Sequence, residues 1–157
     1  MGNRKKIDRR KGVFLVIVDE TQEFVTAVDY ASQFANAEGG YVALLSVMQD
    51  VHVHNWGNIE DKVRREMRAQ SEQMIWDAAG RVVENTGRTP MIAIQDGDAT
   101  DIILKTIKQN ENIVALVLAS SSASNNPGPL VSYFSGKGLH KLPVPLMVIP
   151  GTLEPIA

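Results

Sequence analysis

The chain has 157 residues, a formal net charge of −2, 44% hydrophobic and 22% charged side chains, and no cysteine. This length fits one domain, and the hydrophobic content excludes disorder along the whole chain. The lack of cysteine excludes disulfides, a thiol nucleophile, an iron–sulfur cluster and the common structural zinc sites.

The first twelve residues form a basic segment, with six lysine and arginine side chains against the single acid Asp8. The rest of the chain is therefore acidic, which argues against a general nucleic-acid surface. We interpret residues 1–12 as a solvated arm, and contact with an acidic partner or an anionic lipid surface is the alternative. No apolar run is long enough for a signal peptide or a membrane span, so we expect a cytoplasmic protein without membrane contact.

Five apolar runs predict buried strands. Uninterrupted runs rich in β-branched residues are typical of strands covered on both faces, as in parallel sheets. The runs are residues 13–18, 41–48, 91–95, 113–119 and 144–149.

Segments with helical spacing of apolar residues separate these runs. One stripe spans residues 24–35 and is closed by Gly39 and Gly40; a second spans 59–82, where we expect Met67, Met74 and Trp76 to be core or helix-packing residues. A third helix is expected to be capped by Asp98 or Thr100. A fourth is expected over 130–141, although it contains Gly136 and Gly138. Strict alternation predicts a doubly wound α/β domain with helices on both faces of a parallel sheet.

Ligands of such sheets bind outside the carboxyl ends of the strands, where the strand order reverses. Polar residues follow four of the predicted strands there. They are Asp19, Glu20 and Thr21 after the first strand, Gln49, Asp50, His52 and His54 after the second, Asp96 and Asp98 after the third, and the Ser/Asn loop of residues 120–129 after the fourth. The first and fourth of these loops are the richest in polar residues.

Five segments of the chain follow one another in a characteristic order. A first strand ends in Asp19, a second reads Leu-Leu-Ser-Val, a third is followed by Gly97-Asp98-Ala99, a fourth reads Ile-Val-Ala-Leu-Val-Leu, and the last reads Val-Pro-Leu-Met-Val-Ile. Together they resemble the universal stress protein family over nearly all of residues 13–150. The resemblance implies a Rossmann-like sheet of order 3-2-1-4-5, a domain over 13–151 between the arm and a tail of residues 152–157, and a site between strands one and four.

Family members that bind ATP carry Gly-x2-Gly-x9-Gly-Ser/Thr after strand four. The matching positions here are Ala119, Ser122 and Ser132, followed by Tyr133, so the spacing survives while all three glycines are replaced. A Cβ hinders the close approach of backbone to phosphate. The chain therefore resembles the branch that lacks the glycines and does not bind ATP.

The adenine and ribose side of the family's pocket is retained in Ile17, Val18, Asp19 and Val47. Asp19 has a simpler alternative role as a cap of the first helix, accepting from N–H groups near Thr21 and Gln22. No lysine or arginine lies between residues 120 and 135, so at most weak phosphate or nucleoside binding is expected there. The candidate, degenerate ligand site comprises Ile17, Val18, Asp19, Val47, Ala119, Ser121, Ser122, Ser132, Tyr133 and Ser135.

Other chemistry is poorly supported. The segment from Ser135 to Gly138 fails as a P-loop, because Val131 and Gly138 stand where glycine and Ser/Thr are needed. His52 and His54 with Asp50 lack a firm third metal ligand. No Gly-x-Ser-x-Gly elbow occurs. We therefore predict no catalytic residue and no metal site, with slow hydrolysis of a nucleotide or phosphate ester as the enzymatic alternative.

The last strand is expected at the edge of the sheet, and family members commonly dimerise through it. We predict a homodimer through Val144, Leu146, Met147, Val148 and Ile149. The sequence thus predicts a non-enzymatic, dimeric stress-response protein with no bound cofactor and a cleft that does not bind ATP. The alternative is a sensor that binds ATP, AMP or another small ligand through Asp19 and the loop from Ser120 to Ser122.

Overall fold

The computed structural model describes residues 12–19, 23–49, 57–122 and 125–154. Strands and helices alternate along the chain, as predicted. They are β1 (Val13–Ile17), α1 (Phe24–Glu38), β2 (Tyr41–Met48), α2 (Gly57–Thr86), β3 (Met91–Asp96), α3 (Ala99–Gln109), β4 (Ile113–Ser120), α4 (Pro129–Ser135), a short 3-10 turn (Leu139–Lys141) and β5 (Leu146–Pro150).

The five strands form one parallel sheet in the order β3-β2-β1-β4-β5. This confirms the predicted doubly wound topology. The central strand β1 is buried along its whole length and pairs with β2 on one side and β4 on the other. The chain reverses its direction of travel across the sheet between β1 and β4, and this places a crevice at their carboxyl ends.

Each face of the sheet has its own apolar core, because successive side chains of a strand point to opposite faces. On β1, Phe14 and Val16 pack among residues of α1 and α2, including Val28 and Ile75. Leu15 and its alternate neighbours on the strand face the other way and pack with α3 and α4. The unbroken apolar runs of the sequence are explained by this two-sided burial.

The predicted fourth helix is shorter than expected. It ends at Ser135, and the chain continues through turns into the 3-10 segment. Gly138 is the physical reason, since its N–H donates to the carbonyl of Tyr133 and its Cα lies so close to the Tyr133 ring that an added Cβ would overlap it. The last strand also begins later than predicted, at Leu146, directly after Pro145, whose carbonyl accepts from the N–H of Leu116.

The expectation for Trp76 was wrong, because this side chain is 64% exposed. Trp76 directly follows the fully buried Ile75, so it lies about 100° further round the helix and faces away from the sheet. Helix α2 has 30 residues, about 45 Å at 1.5 Å per residue, whereas the eight residues of β2 span about 26 Å. Only part of such a helix can pack on the sheet. Ile75 and Val82 are buried in that part, while Ile59, near the start of α2, is 49% exposed.

Candidate functional site

A cavity of about 280 Å³ opens at the carboxyl ends of the central strands. Its apolar lining comes from β1, β2 and β4, and its polar lining comes from the segments that follow the strands. The lining residues are Ile17, Val18, Asp19, Val47, Gln49, Asp98, Ala99, Thr100, Leu118, Ala119, Ser121, Pro127, Gly128, Pro129, Leu130 and Val131. The cavity thus lies in the crevice that the topology creates.

Six of the ten candidate residues line this cavity: Ile17, Val18, Asp19, Val47, Ala119 and Ser121. The other four lie elsewhere. Ser122 is exposed and bonds to Glu23, Ser132 is exposed on α4, and the hydroxyl of Ser135 donates to the carbonyl of Val131 at 2.6 Å. Tyr133 packs edge-on against Phe134, with 5.0 Å between the ring centroids.

The structure adds lining residues from the starts of α3 and α4. Asp98 and Thr100 face the cavity from α3, and Gly128 and Leu130 face it from the start of α4. Asp98 follows a predicted strand, and that position is the signal by which it could have been included in the site. Gly128 has φ 105°, a conformation that favours glycine.

Asp98, one of the two predicted candidates, caps α3. Its carboxylate accepts from the hydroxyl of Thr100 at 2.7 Å and from the N–H of Asp101 at 3.0 Å. These bonds favour the charged form, and the Thr100 hydroxyl is the larger cause of the lowered pKa of Asp98. The α3 side of the cavity therefore carries a fixed negative charge at neutral pH.

Asp19 brings a second carboxylate to the cavity. The first described helical residue of α1 is Phe24 and its N-cap is Glu23; Thr21 and Gln22, which would test the cap alternative for Asp19, lie outside the described residues. Among the cavity-lining residues that the structure describes, none is lysine, arginine or histidine. The formal charge of the described lining is therefore negative.

The loop after β4 uses several of its own hydrogen-bond donors. The N–H of Ser121 donates to the carbonyl of Pro127 at 2.9 Å, and the N–H of Gly128 donates to Oδ1 of Asn126 at 3.1 Å. The N–H and hydroxyl of Ser122 both donate to the carboxylate of Glu23. The backbone amides that an anion would need in this part of the loop are already paired within the chain.

Other features considered in the sequence are the basic arm, a metal site and a membrane span. The basic arm and the candidate ligands Asp50, His52 and His54 lie outside the described residues. Within the described ranges, no cluster of three metal-ligating side chains occurs, and no helix is long and apolar enough to cross a membrane.

The residues predicted for a dimer lie on or just before the edge strand β5. Val144 and Ile149 are buried in the protein's own core, Leu146 and Met147 are partly buried, and Val148 is exposed. Their pairing with a second chain stays a prediction.

Comparisons with known proteins agree with this fold. A family model described as the universal stress protein family matches residues 12–150. No curated protein matches the sequence significantly.

Among solved structures, the chain is similar to the universal stress protein UspA from Lactobacillus plantarum, with a TM-score of 0.75 and 18% identity over 89% of this chain and 98% of the other. It is also similar to a universal stress protein in complex with cAMP (TM-score 0.65, 13% identity, 90% and 98% covered). A third similar structure is the universal stress protein from Archaeoglobus fulgidus in complex with dAMP. Its TM-score is 0.61 and its identity 10%, with 88% of this chain and 97% of the other covered. With the family model covering most of its length, this chain belongs to the universal stress protein family.

Proposed function

We propose that the protein is a non-enzymatic, dimeric stress-response protein whose cleft does not bind ATP. The observation that carries this proposal is the charge of the cavity. Asp19 and Asp98 both line it, and none of its described lining residues is cationic. Two carboxylates in the described lining oppose the entry of a triphosphate, whose binding normally uses positive charge and open backbone amides.

The donors of the loop after β4 support the same proposal. Acceptors within the chain already take hydrogen bonds from the N–H groups of Ser121, Ser122 and Gly128. A phosphate would have to displace these partners before it could bind to these three amides. Ala119 and Ser122 also carry the Cβ atoms that the glycine motif of ATP-binding relatives lacks, in keeping with the branch that the sequence resembles.

Isothermal titration with ATP and magnesium tests the proposal. We expect no binding heat at micromolar protein concentration and no rise in melting temperature with added ATP, since a ligand that binds the native state stabilises it. A micromolar dissociation constant would overturn the claim. Hydrolysis of ATP that disappears in Asp19→Ala would overturn the non-enzymatic part.

The second candidate is a sensor of a nucleotide or other small ligand. It is favoured by the retained lining of Ile17, Val18, Asp19 and Val47 around a real cavity, and by the cAMP and dAMP bound in two structurally similar proteins. Mass spectrometry of the material released when freshly purified protein is unfolded separates the candidates. A released nucleotide that is lost in Asp19→Ala favours the sensor.

A further inference from the structure

Glu23 contacts the loop after β4, next to the cavity-lining residue Ser121. It is the residue before α1, and its carboxylate Oε1 accepts from the hydroxyl of Ser122 at 2.8 Å and from the N–H of Ser122 at 3.3 Å. Ser122 directly follows Ser121, which lines the cavity. The two residues are 99 positions apart, so this contact joins the start of α1 to the loop after β4.

The packing around Glu23 holds its side chain in this place. Gly151 lies so close that an added Cβ would come within 2.5 Å of Cγ of Glu23. The N–H of Gly151 donates to the hydroxyl of Ser120 at 3.3 Å, which ties the segment after β5 to the same loop. The stem of Glu23 is therefore enclosed between the loop after β4 and the residue after β5, with its carboxylate directed at Ser122.

A carboxylate oxygen and a phosphate oxygen make equivalent demands on an N–H and O–H pair. Both are anionic acceptors, and hydrogen bonds to an ionised acceptor are stronger than bonds between neutral groups. An acidic side chain at the start of a helix is further stabilised by the helix dipole. Glu23 thus occupies donors that an anionic ligand would otherwise use, and adds a negative charge beside them.

We propose that Glu23 is an internal anion that determines ligand class: it directs the cleft to uncharged nucleosides and excludes their phosphorylated forms. This inference rests on the proposed function, a cleft that does not bind ATP, and on the second candidate, a sensor of a small ligand. The floor of Ile17, Val18, Val47 and Leu118 suits a flat heterocycle, and the carboxylates of Asp19 and Asp98 suit a ligand that offers hydroxyl or amino donors. A volume of about 280 Å³ fits a small ligand of this kind.

The test compares adenosine with AMP on three forms of the full chain by isothermal titration. Glu23→Gln keeps the size and an acceptor but removes the charge, and Glu23→Ala also vacates the donors of Ser122. Glu38→Gln, an exposed glutamate at the other end of α1, is the matched control. Circular dichroism and the melting temperature establish that each variant is folded.

We expect the wild type and Glu38→Gln to bind adenosine and to bind AMP at least about tenfold more weakly, the size expected from one like charge close to the phosphate. Glu23→Gln should reduce the difference in affinity between adenosine and AMP, and Glu23→Ala should abolish it. The affinity for adenosine itself should change less than about twofold. Both variants are included so that misfolding of one leaves the other as the test.

Two results overturn the inference: an AMP-to-adenosine affinity ratio that is unchanged in the Glu23 variants, or adenosine that binds to none of the proteins. The proposed function fails separately, through micromolar ATP binding by the wild type. The two failures are therefore read from different titrations.

Discussion

Arg81 on α2 holds the carboxylate of Asp29 on α1 with two hydrogen bonds, Nε to Oδ1 at 2.5 Å and Nη2 to Oδ2 at 2.6 Å. The amide of Asn85 donates to the same Oδ1 at 2.9 Å. The Asp29 side chain is fully buried, whereas that of Arg81 is 36% exposed. The two helices on one face of the sheet are thus joined by a charged pair of which only the cation reaches water.

This asymmetry predicts unequal effects of removing each partner. Arg81→Met leaves a buried carboxylate with one neutral donor, and we expect a loss of about 3 kcal/mol in the free energy of unfolding. Asp29→Asn leaves a guanidinium that can turn to solvent, and we expect a loss of about 1–2 kcal/mol. Urea denaturation of both variants measures the difference.

Arg65→Met is the matched control, because Arg65 is an exposed arginine on the same helix. Its free energy of unfolding should change by less than about 0.5 kcal/mol. Equal losses for Arg81→Met and Asp29→Asn would show that burial of the carboxylate does not govern the stability of this pair.

Two glycines should respond in opposite ways to alanine. At Gly80, in the exposed middle of α2, an added Cβ meets no atom within 4 Å, and we expect Gly80→Ala to stabilise the protein by about 1 kcal/mol through helix propensity. At Gly40 the Cβ would overlap the carbonyl oxygen of Gly12, which also accepts from the N–H of Tyr41.

Gly40→Ala should therefore destabilise the protein by about 2 kcal/mol or more, since the backbone of β1 or β2 must shift. Melting temperatures of the two variants, compared with the wild type, check both signs. A Gly40→Ala protein as stable as the wild type would mean that the backbone at Gly12 and Gly40 can shift at little cost in free energy.

The sequence predicted the fold because its apolar runs and helical stripes match two-sided burial of a parallel sheet. It misplaced features that depend on three-dimensional fit. Trp76 directly follows the fully buried Ile75, but at about 3.6 residues per turn it lies about 100° further round α2 and is exposed. The end of α4 depends on the contact between Gly138 and the Tyr133 ring, which no propensity reveals.

Asp19 was predictable from topology, because it follows the first strand, whereas Val47 was assigned through the resemblance to the family; both line the cavity. Ser132 and Ser135 were placed by counting along a motif, and the direction in which a helical residue points depends on where α4 begins, at Pro129. The contact between Glu23 and Ser122 links residues 99 positions apart, and neither residue carries a local signal for it.

The lowered pKa of Asp98 predicts that the protein loses stability at acid pH. Its pKa in the folded state is lowered by the Thr100 hydroxyl and the Asp101 N–H. The unfolded state therefore takes up this proton at a higher pH than the folded state does. The stabilisation is complete above the ordinary pKa of an aspartate and is lost as the pH falls through the lowered folded value.

Thr100→Val removes the larger of the two causes, so the pKa of Asp98 should rise toward its ordinary value. NMR titration of the carboxyl carbon measures this shift, and the melting temperature should fall less steeply at acid pH than in the wild type, because the folded and unfolded pKa values of Asp98 lie closer together. Thr106→Val is a suitable control on the same helix, because the Thr106 hydroxyl bonds to the carbonyl of Ile102 and not to Asp98. An unchanged Asp98 titration in Thr100→Val would contradict the assigned cause.

The edge strand β5 supplies the test of the proposed dimer. Val148 is 38% exposed at the edge of the sheet, whereas Ile149 beside it is buried in the protein's own core. A lysine at position 148 would lose its hydration if β5 packs against a second copy, and unpaired charge in an interface is costly. We expect sedimentation velocity to show a wild-type dimer at micromolar concentration and a Val148→Lys monomer with an unchanged circular dichroism spectrum. Val83→Lys, at a 43% exposed position on α2, should remain dimeric. A monomeric wild type would refute the dimer, and a dimeric Val148→Lys would move the interface away from β5.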